Sequence, residues 1–316
     1  MTRSHTLPAN ADSVHRGFLD AELPSVLEIE SGDRIIVETI SGDPTFLPAP
    51  GEGLDILPEY APVFSRHPPG PGPHILTGPV RIAGAEPGQT LEVKVLDVQL
   101  RQNWGYNVIR PLAGAIPEDF GLTRRLLRIP ISIANQTADL PWGLTLPLAP
   151  FFGFMATAPP RAYGRLTSMT PREFGGNLDN KELRPGTSLF LPVFNAGAQF
   201  SVGDGHAVQG DGEACVTAIE TAMRGTFELI LHKDLSLNLP RAETPTHYMT
   251  MGFDVDLDNA AKQAIREMIL LLGQKAGLSR EDAYTLISLA CDVRVTQLVN
   301  GNKGIHALIP KSAVCG

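Results

Sequence analysis

The chain has 316 residues, 43% of them hydrophobic and 19% charged, which is the composition of a globular protein with ample core, in one large domain or two ordinary ones. A formal net charge of −8 and a pI near 5.5 argue against a nucleic-acid backbone or an anionic membrane surface as the main partner, and 6% aromatic content argues against a stacking platform for single strands. Met1 to Asp20 holds no apolar core segment, so no secretory signal is expected, and the apolar run Met268 to Leu272 is far too short to span a bilayer. Cys215, Cys291 and Cys315 have neither the number nor the spacing of a disulfide framework or a zinc knuckle, so a cytoplasmic location is expected.

In chain order, Ser31-Gly32-Asp33 turns into a strand over Arg34–Ile40, which ends at a second turn, Ser41-Gly42-Asp43-Pro44. From Phe46 to Pro73 the chain is rich in proline and glycine, without a period, as expected of a loop covering a site. Pro73–Val80, Leu91–Val98 and Leu189–Val193 read as strands, the second alternating apolar and charged residues in its first half. Residues 101–182 read as mostly irregular, with Trp104-Gly105-Tyr106, Leu140-Pro141-Trp142-Gly143 and Phe151-Phe152-Gly153-Phe154 as apolar landmarks. Phe200-Ser201-Val202 leads into a glycine-rich turn, the apolar run Ala214–Ile219 leads out as a strand, and Thr226–Leu231 is the next strand.

The character changes near Asp254. Asp256 or Asp258 caps a helix with Ala261, Ile265, Met268, Ile269 and Leu272 on one apolar face, and Gly277 stops it. Ser279 with Asp282 opens a second helix, with Ala283, Leu286, Ile287 and Ala290 inward. Val293–Val299, a turn at Asn300–Gly304 and Ile305–Ile309 form a hairpin. The expected fold is therefore mainly β (α+β): sandwich or barrel-like strands with a helix-helix-hairpin module near the C-terminus. We read 1–316 as a single domain with an α+β subregion at 254–316.

The chemistry concentrates in Gly203-Asp204-Gly205-His206-Ala207-Val208-Gln209-Gly210-Asp211-Gly212-Glu213. A turn needs one or two glycines or aspartates, whereas this stretch packs imidazole and carboxylates, the ordinary ligands of zinc and related ions, among four glycines. Asp204 and His206 are two apart and share a side of an extended segment, as do Asp211 and Glu213. That supplies two ligands and leaves a carboxylate as general base, either Asp211 or Glu213. His74 and Asp43 are further metal-ligand candidates from distant turns, and Asn177 and Asp179 either complete the site or form an Asx-rich turn. His15, His232, His247 and His306 read as structural. Cys215, two residues after Glu213, is the alternative nucleophile, although a cysteine in an apolar strand usually behaves as a small hydrophobe.

At these residues the sequence resembles the acetamidase/formamidase family. The resemblance rests on His74–Val80, Gly175–Leu183, Leu189–Val193, Phe200–Glu213, Pro240–His247, Met251–Asp254 and Arg294–Asn300, and runs from about Val14 to Lys311. It implies a mostly β, cytoplasmic homo-oligomer that hydrolyses short aliphatic amides such as formamide and acetamide to carboxylate and ammonia. Metal ions are associated with that fold, which gives a divalent cation as cofactor, zinc first and calcium second, and a metal-activated water as the mechanism. A metal-stabilised β-rich binding protein without amidase activity is the reading from another class. Two differences bear on substrate: Arg16 stands where relatives tend to carry Trp after His15, and Leu19 follows Phe18.

Overall fold

A computed structural model describes residues 2–314. Two large sheets face each other. The first has nine strands, in the order Ser4–Leu7, Asp33–Glu38, Met223–His232, Thr90–Leu100, Ser188–Pro192, Arg241–Glu243, His247–Asp254, Lys303–Pro310 and Asp292–Gln297. The second has eleven and is organised around Phe200–His206, which pairs with Phe151–Ala156 on one edge. Phe152 and Phe200 from this sheet meet Phe227 of the other, with ring centroids 5.5 and 6.1 Å apart. All three side chains are buried, each contributing about 1.5–3 kcal/mol by leaving water. The mainly β expectation therefore holds, in the sandwich form.

Residues 101–182 are more regular than the sequence reading expects. Trp104–Ile109, Arg125–Ser132, Thr137–Asp139, Thr145–Pro147 and Phe151–Ala156 are all strands of the second sheet. Phe151–Ala156 is buried along its whole length, so it carries no alternation, and Gly105, Pro130 and Gly153 interrupt the β-former runs. Conversely, Ala214–Ile219 is turn and bend rather than strand, and the first four residues of the glycine-rich motif, Gly203–His206, are strand. Tyr60–Arg66 forms a short helix within the expected loop.

The C-terminal helices are Leu257–Ala276, capped by Asp256 and ended by left-handed Gly277, and Arg280–Ala290, capped by Ser279. The inward face of the first helix is Ala260, Ala264, Met268, Leu271 and Leu272, with Ala261, Ile265 and Ile269 on its flank. The offset has a packing cause: a Cβ on Gly252 would lie 2.1 Å from the Ala260 carbonyl oxygen, so the helix rests backbone-on-backbone through its alanines. The hairpin of this module continues the nine-stranded sheet through His247–Asp254. Among the described residues no helix is long and apolar enough to cross a membrane. Cys215 and Cys291 are free thiols, and Cys315 lies outside the described residues.

Candidate active site

The site lies where the second sheet splits. Along one edge of Phe200–His206, its first residues pair with Ile75–Ile82, up to Gly203 opposite Leu76. From Gly205 onward the same edge pairs with Glu220–Thr221 instead. Asp204 stands at the branch with φ of 58°, in the left-handed region. Its backbone also reverses the side-chain alternation: Phe200 and Val202 point into the inter-sheet core, but beyond it Gly205 and Ala207 take that direction, Gly205 lying against Met223. His206 is thereby turned to the face away from that core. His74, just before one diverging strand, and Glu220, on the other, close the fork.

Four carboxylates and two imidazoles converge there. His206 Nε2 lies 3.1 Å from Glu220 Oε1, 3.3 Å from Asp204 Oδ2 and 3.9 Å from Asp179 Oδ1. His74 Nε2 lies 3.6 Å from Asp204 Oδ2, while its Nδ1 bonds Ser168 Oγ at 2.9 Å. Asp179, His206 and Glu213 form one compact ligand group, and Asp204, His206 and Glu220 a second that shares the histidine. The four carboxylates and His206 are buried, and His74 is half-buried. Gly153 makes the convergence possible, since a Cβ there would fall 2.4 Å from Asp179 Oδ1 and 2.7 Å from Asp204 Oδ2. Asp179 and Glu213 also sit at positive φ, 47° and 44°, so three of the four carboxylates occupy backbone that costs on the order of 1–3 kcal/mol each.

Electrostatics follow from that crowding. Burial pushes Asp179 up to about 7, the Asp204 charge adding to it and His206 opposing. Burial likewise takes Glu220 up to about 8 against the pull of His206, and burial with the Asp179 charge holds Glu213 well above the usual carboxylate range. For Asp204, burial is outweighed by His74 and His206, which hold it below its ordinary value. For His206, burial is outweighed by Glu220 and Asp204, which hold it well above. His74 is lowered, by burial first, with Asp204 opposing.

These residues fit a divalent cation. Asp179 Oδ1, His206 Nε2, Glu213 Oε2 and Glu220 Oε2 are buried polar atoms without a hydrogen-bond partner, and a bound cation would satisfy such lone pairs. The histidine is oriented for it. Gln209 donates through Nε2 to the Asp179 carbonyl at 2.7 Å, so its Oε1, 2.8 Å from His206 Nδ1, must accept. Nδ1 therefore carries the proton and Nε2 faces the carboxylates, the usual arrangement behind a ligating imidazole. With Nδ1 engaged, the two ligand groups converge on one nitrogen, and hence on one ion.

The other expected site residues fall as follows. Asn177 is buried, donates from Nδ2 to the Met169 carbonyl at 3.1 Å, and has a partnerless Oδ1. Asp43 accepts from Thr45 and pairs with Arg16 at 3.0 Å; it borders the cavity but belongs to neither ligand group, because Arg16 and the turn it caps already engage its oxygens. Asp211 pairs with Lys181 at 2.9 Å, is about one-third exposed, and belongs to neither group. Cys215 Sγ receives the Asn107 amide at 3.1 Å in the turn after Glu213, outside the cavity lining. Arg16 lines the cavity and Leu19 does not. Glu220, Gln209, Gly153 and Asn300, which donates to Asp179 Oδ2, are the residues missed as site members. Glu220 gave no signal, standing in a short strand after an apolar run.

His74, Asn177, Asp204, Glu213 and Glu220 open onto a cavity of about 620 Å³, whose lining also includes Phe46, Pro69 and Pro73 of the proline-rich segment. The sequence profile of the Acetamidase/Formamidase family matches residues 8–166 and 162–313. The chain belongs to this family. An acetamidase of Bacillus halodurans has the same fold, with a TM-score of 0.84 at 31% identity over 98% of this chain and 100% of that one. The formamidase of Methylophilus methylotrophus is 26% identical over 293 residues, covering 69% of this chain and 70% of its own. A family relative from Schizosaccharomyces pombe is 29% identical over 250 residues, 58% of this chain, which spans 61% of that relative's length.

Proposed function

We propose that this protein is a hydrolase of linear amides, converting a primary amide and water to a carboxylate and ammonium. The observation that carries the reading is the buried His206–carboxylate cluster, whose Asp204, Glu213 and Glu220 line a cavity large enough for an organic ligand. Family membership, and the printed names of the acetamidase and formamidase relatives, support the same class. The short aliphatic amide, the cytoplasmic location and a homo-oligomeric assembly are part of this proposal.

Asp204, His206 and Glu220 would hold the cation, with Asp179 and His74 flanking. A mixed imidazole and carboxylate set suits zinc better than calcium, which takes oxygen ligands. When bound, the ion supplies Lewis-acid polarisation of a carbonyl and of a water molecule. Asn177 Oδ1, a buried acceptor on the cavity wall, receives a hydrogen bond from the substrate NH₂ group. Glu213 borders the cavity but lacks the close contact with His206 Nε2 that Glu220 makes, which leaves it to move protons. It accepts one from water and delivers one to the departing nitrogen, which then leaves as ammonia rather than as an amide anion. Its raised proton affinity suits both steps near neutral pH.

The test is ammonia release from formamide, acetamide, propionamide and an aromatic amide, before and after chelation and after restoring single metals. Loss on chelation with recovery on zinc supports the reading. Full activity in protein shown by elemental analysis to be metal-free would overturn the metal assignment, and no release from any amide would overturn the amidase assignment.

A further inference from the structure

The cavity of about 620 Å³ would hold roughly 20 waters at about 30 Å³ each, far more room than formamide or acetamide fills. Tyr106, Val108 and Arg110 alternate along Trp104–Ile109 and the residue beyond it, and all three line the cavity. Tyr106 stands in register with Glu220, at the level of the carboxylate cluster. Arg110 is four residues further on, roughly 13 Å along the strand at about 3.3 Å per residue.

Arg110 is half-buried, and its side chain makes no hydrogen bond or ion pair with any described residue. Arg16, by contrast, is matched by Asp43 and the His67 carbonyl, Arg101 by Glu38 and Glu59, and Arg128 by the Phe46 and Leu47 carbonyls, while half-buried Arg172 has the Tyr163 ring. A guanidinium taken partly out of water with its donors unmatched is costly, and its planar fork is the shape that a carboxylate completes. Val108, Pro111 and Val216 supply apolar wall, and Arg124 adds a second positive charge to the lining.

We propose that the substrate is an amide bearing a carboxylate at its far end, of which the monoamide of a short dicarboxylic acid is the simplest case, with Arg110 holding that carboxylate. This rests on the amidase reading and adds the substrate class to it. Arg110 also sets the direction of binding: with the carboxylate on its guanidinium, the neutral amide lies toward Asp204, Glu213 and Glu220. Hydrolysis adds water across the C–N bond and yields dicarboxylate and ammonium.

The test compares kcat/KM for succinamate and glutaramate with that for the neutral amides butyramide and valeramide, in the wild type, Arg110→Lys and Arg110→Glu. The expected result is a preference for the anionic amides of about tenfold or more, the range of one charge-assisted hydrogen-bond pair. That preference should reverse in Arg110→Glu, mainly through KM, and survive in part in Arg110→Lys. Equal or poorer use of the anionic amides, or a preference untouched by Arg110→Glu, would overturn the proposal while leaving the amidase reading in place. Calorimetric titration with glutaramate keeps the two apart if no amide is turned over. Saturable binding lost in Arg110→Glu would still support the anion site, and no binding would refute it.

Discussion

His206 Nδ1 lies 2.8 Å from Gln209 Oε1, three residues along the chain, and the other end of the same amide is bonded to the Asp179 carbonyl. One glutamine thus sets the proton on the imidazole and ties the two halves of the site together. Replacing it with leucine removes the acceptor and frees the ring. Zinc affinity should fall by about 10–100-fold, the usual effect of losing a partner behind a ligating histidine, as read by competition with a chromogenic chelator. Unchanged affinity in Gln209→Leu would remove His206 from the ligand set.

Gly153→Ala tests whether the ligands need the close approach. The substitution asks nothing unusual of the strand backbone, but its methyl would occupy space within 2.4–2.7 Å of the Asp179 and Asp204 oxygens. The flexible ends of those carboxylates must give way. The variant is expected to fold, with an unaltered circular dichroism spectrum, yet to lose stoichiometric metal and most ammonia release. Full metal content would show that the cluster has slack.

Glu213→Gln keeps the shape and removes the proton acceptor. Turnover should fall by about 10²-fold or more with metal content retained. Because burial and Asp179 raise the folded-state proton affinity of Glu213, that carboxyl destabilises the metal-free protein increasingly as pH climbs above its unfolded value. The metal-free variant's melting temperature should therefore gain on the metal-free wild type as pH rises above about 4.5. Undiminished turnover would exclude Glu213 as the base.

His15 gives a pH dependence remote from the cluster. It is buried, hydrogen-bonded to the Phe18 carbonyl and Ser201, and burial pushes it down to about 4, with the Phe18 bond opposing. Between its unfolded value near 6.5 and about 4, only the unfolded chain takes up the proton, so stability falls as pH falls through that window. The loss is on the order of 3 kcal/mol when complete. Urea unfolding at successive pH values should show a shallower acid dependence in His15→Gln, and an identical dependence would assign the effect elsewhere.

Cys215→Ala should release ammonia at the wild-type rate. The thiol sits in a turn against Asn107 and does not line the cavity. A large loss of turnover with metal retained would reopen covalent catalysis.

The sequence by itself determined the fold class, the C-terminal helices and their caps, and the stretch in which the chemistry lies. These are local properties: periodicity, capping side chains, and a density of ligand types among glycines that no turn requires. It also named Asp204, His206 and Glu213 together, since they stand within ten residues of each other. Only the tertiary structure decided which other groups join them. Glu220 arrives because its strand takes over the edge of Phe200–His206 where Ile75–Ile82 leaves it, and Asn300 because a hairpin tip from the other sheet reaches Asp179. Asp211, adjacent in sequence to the motif's last glycine, is drawn off by Lys181, and Asp43 by Arg16. Strand pairing is a long-range choice, made by burial across the whole sandwich, and a one-residue reversal of alternation at Asp204 is enough to decide which side chains face the cavity.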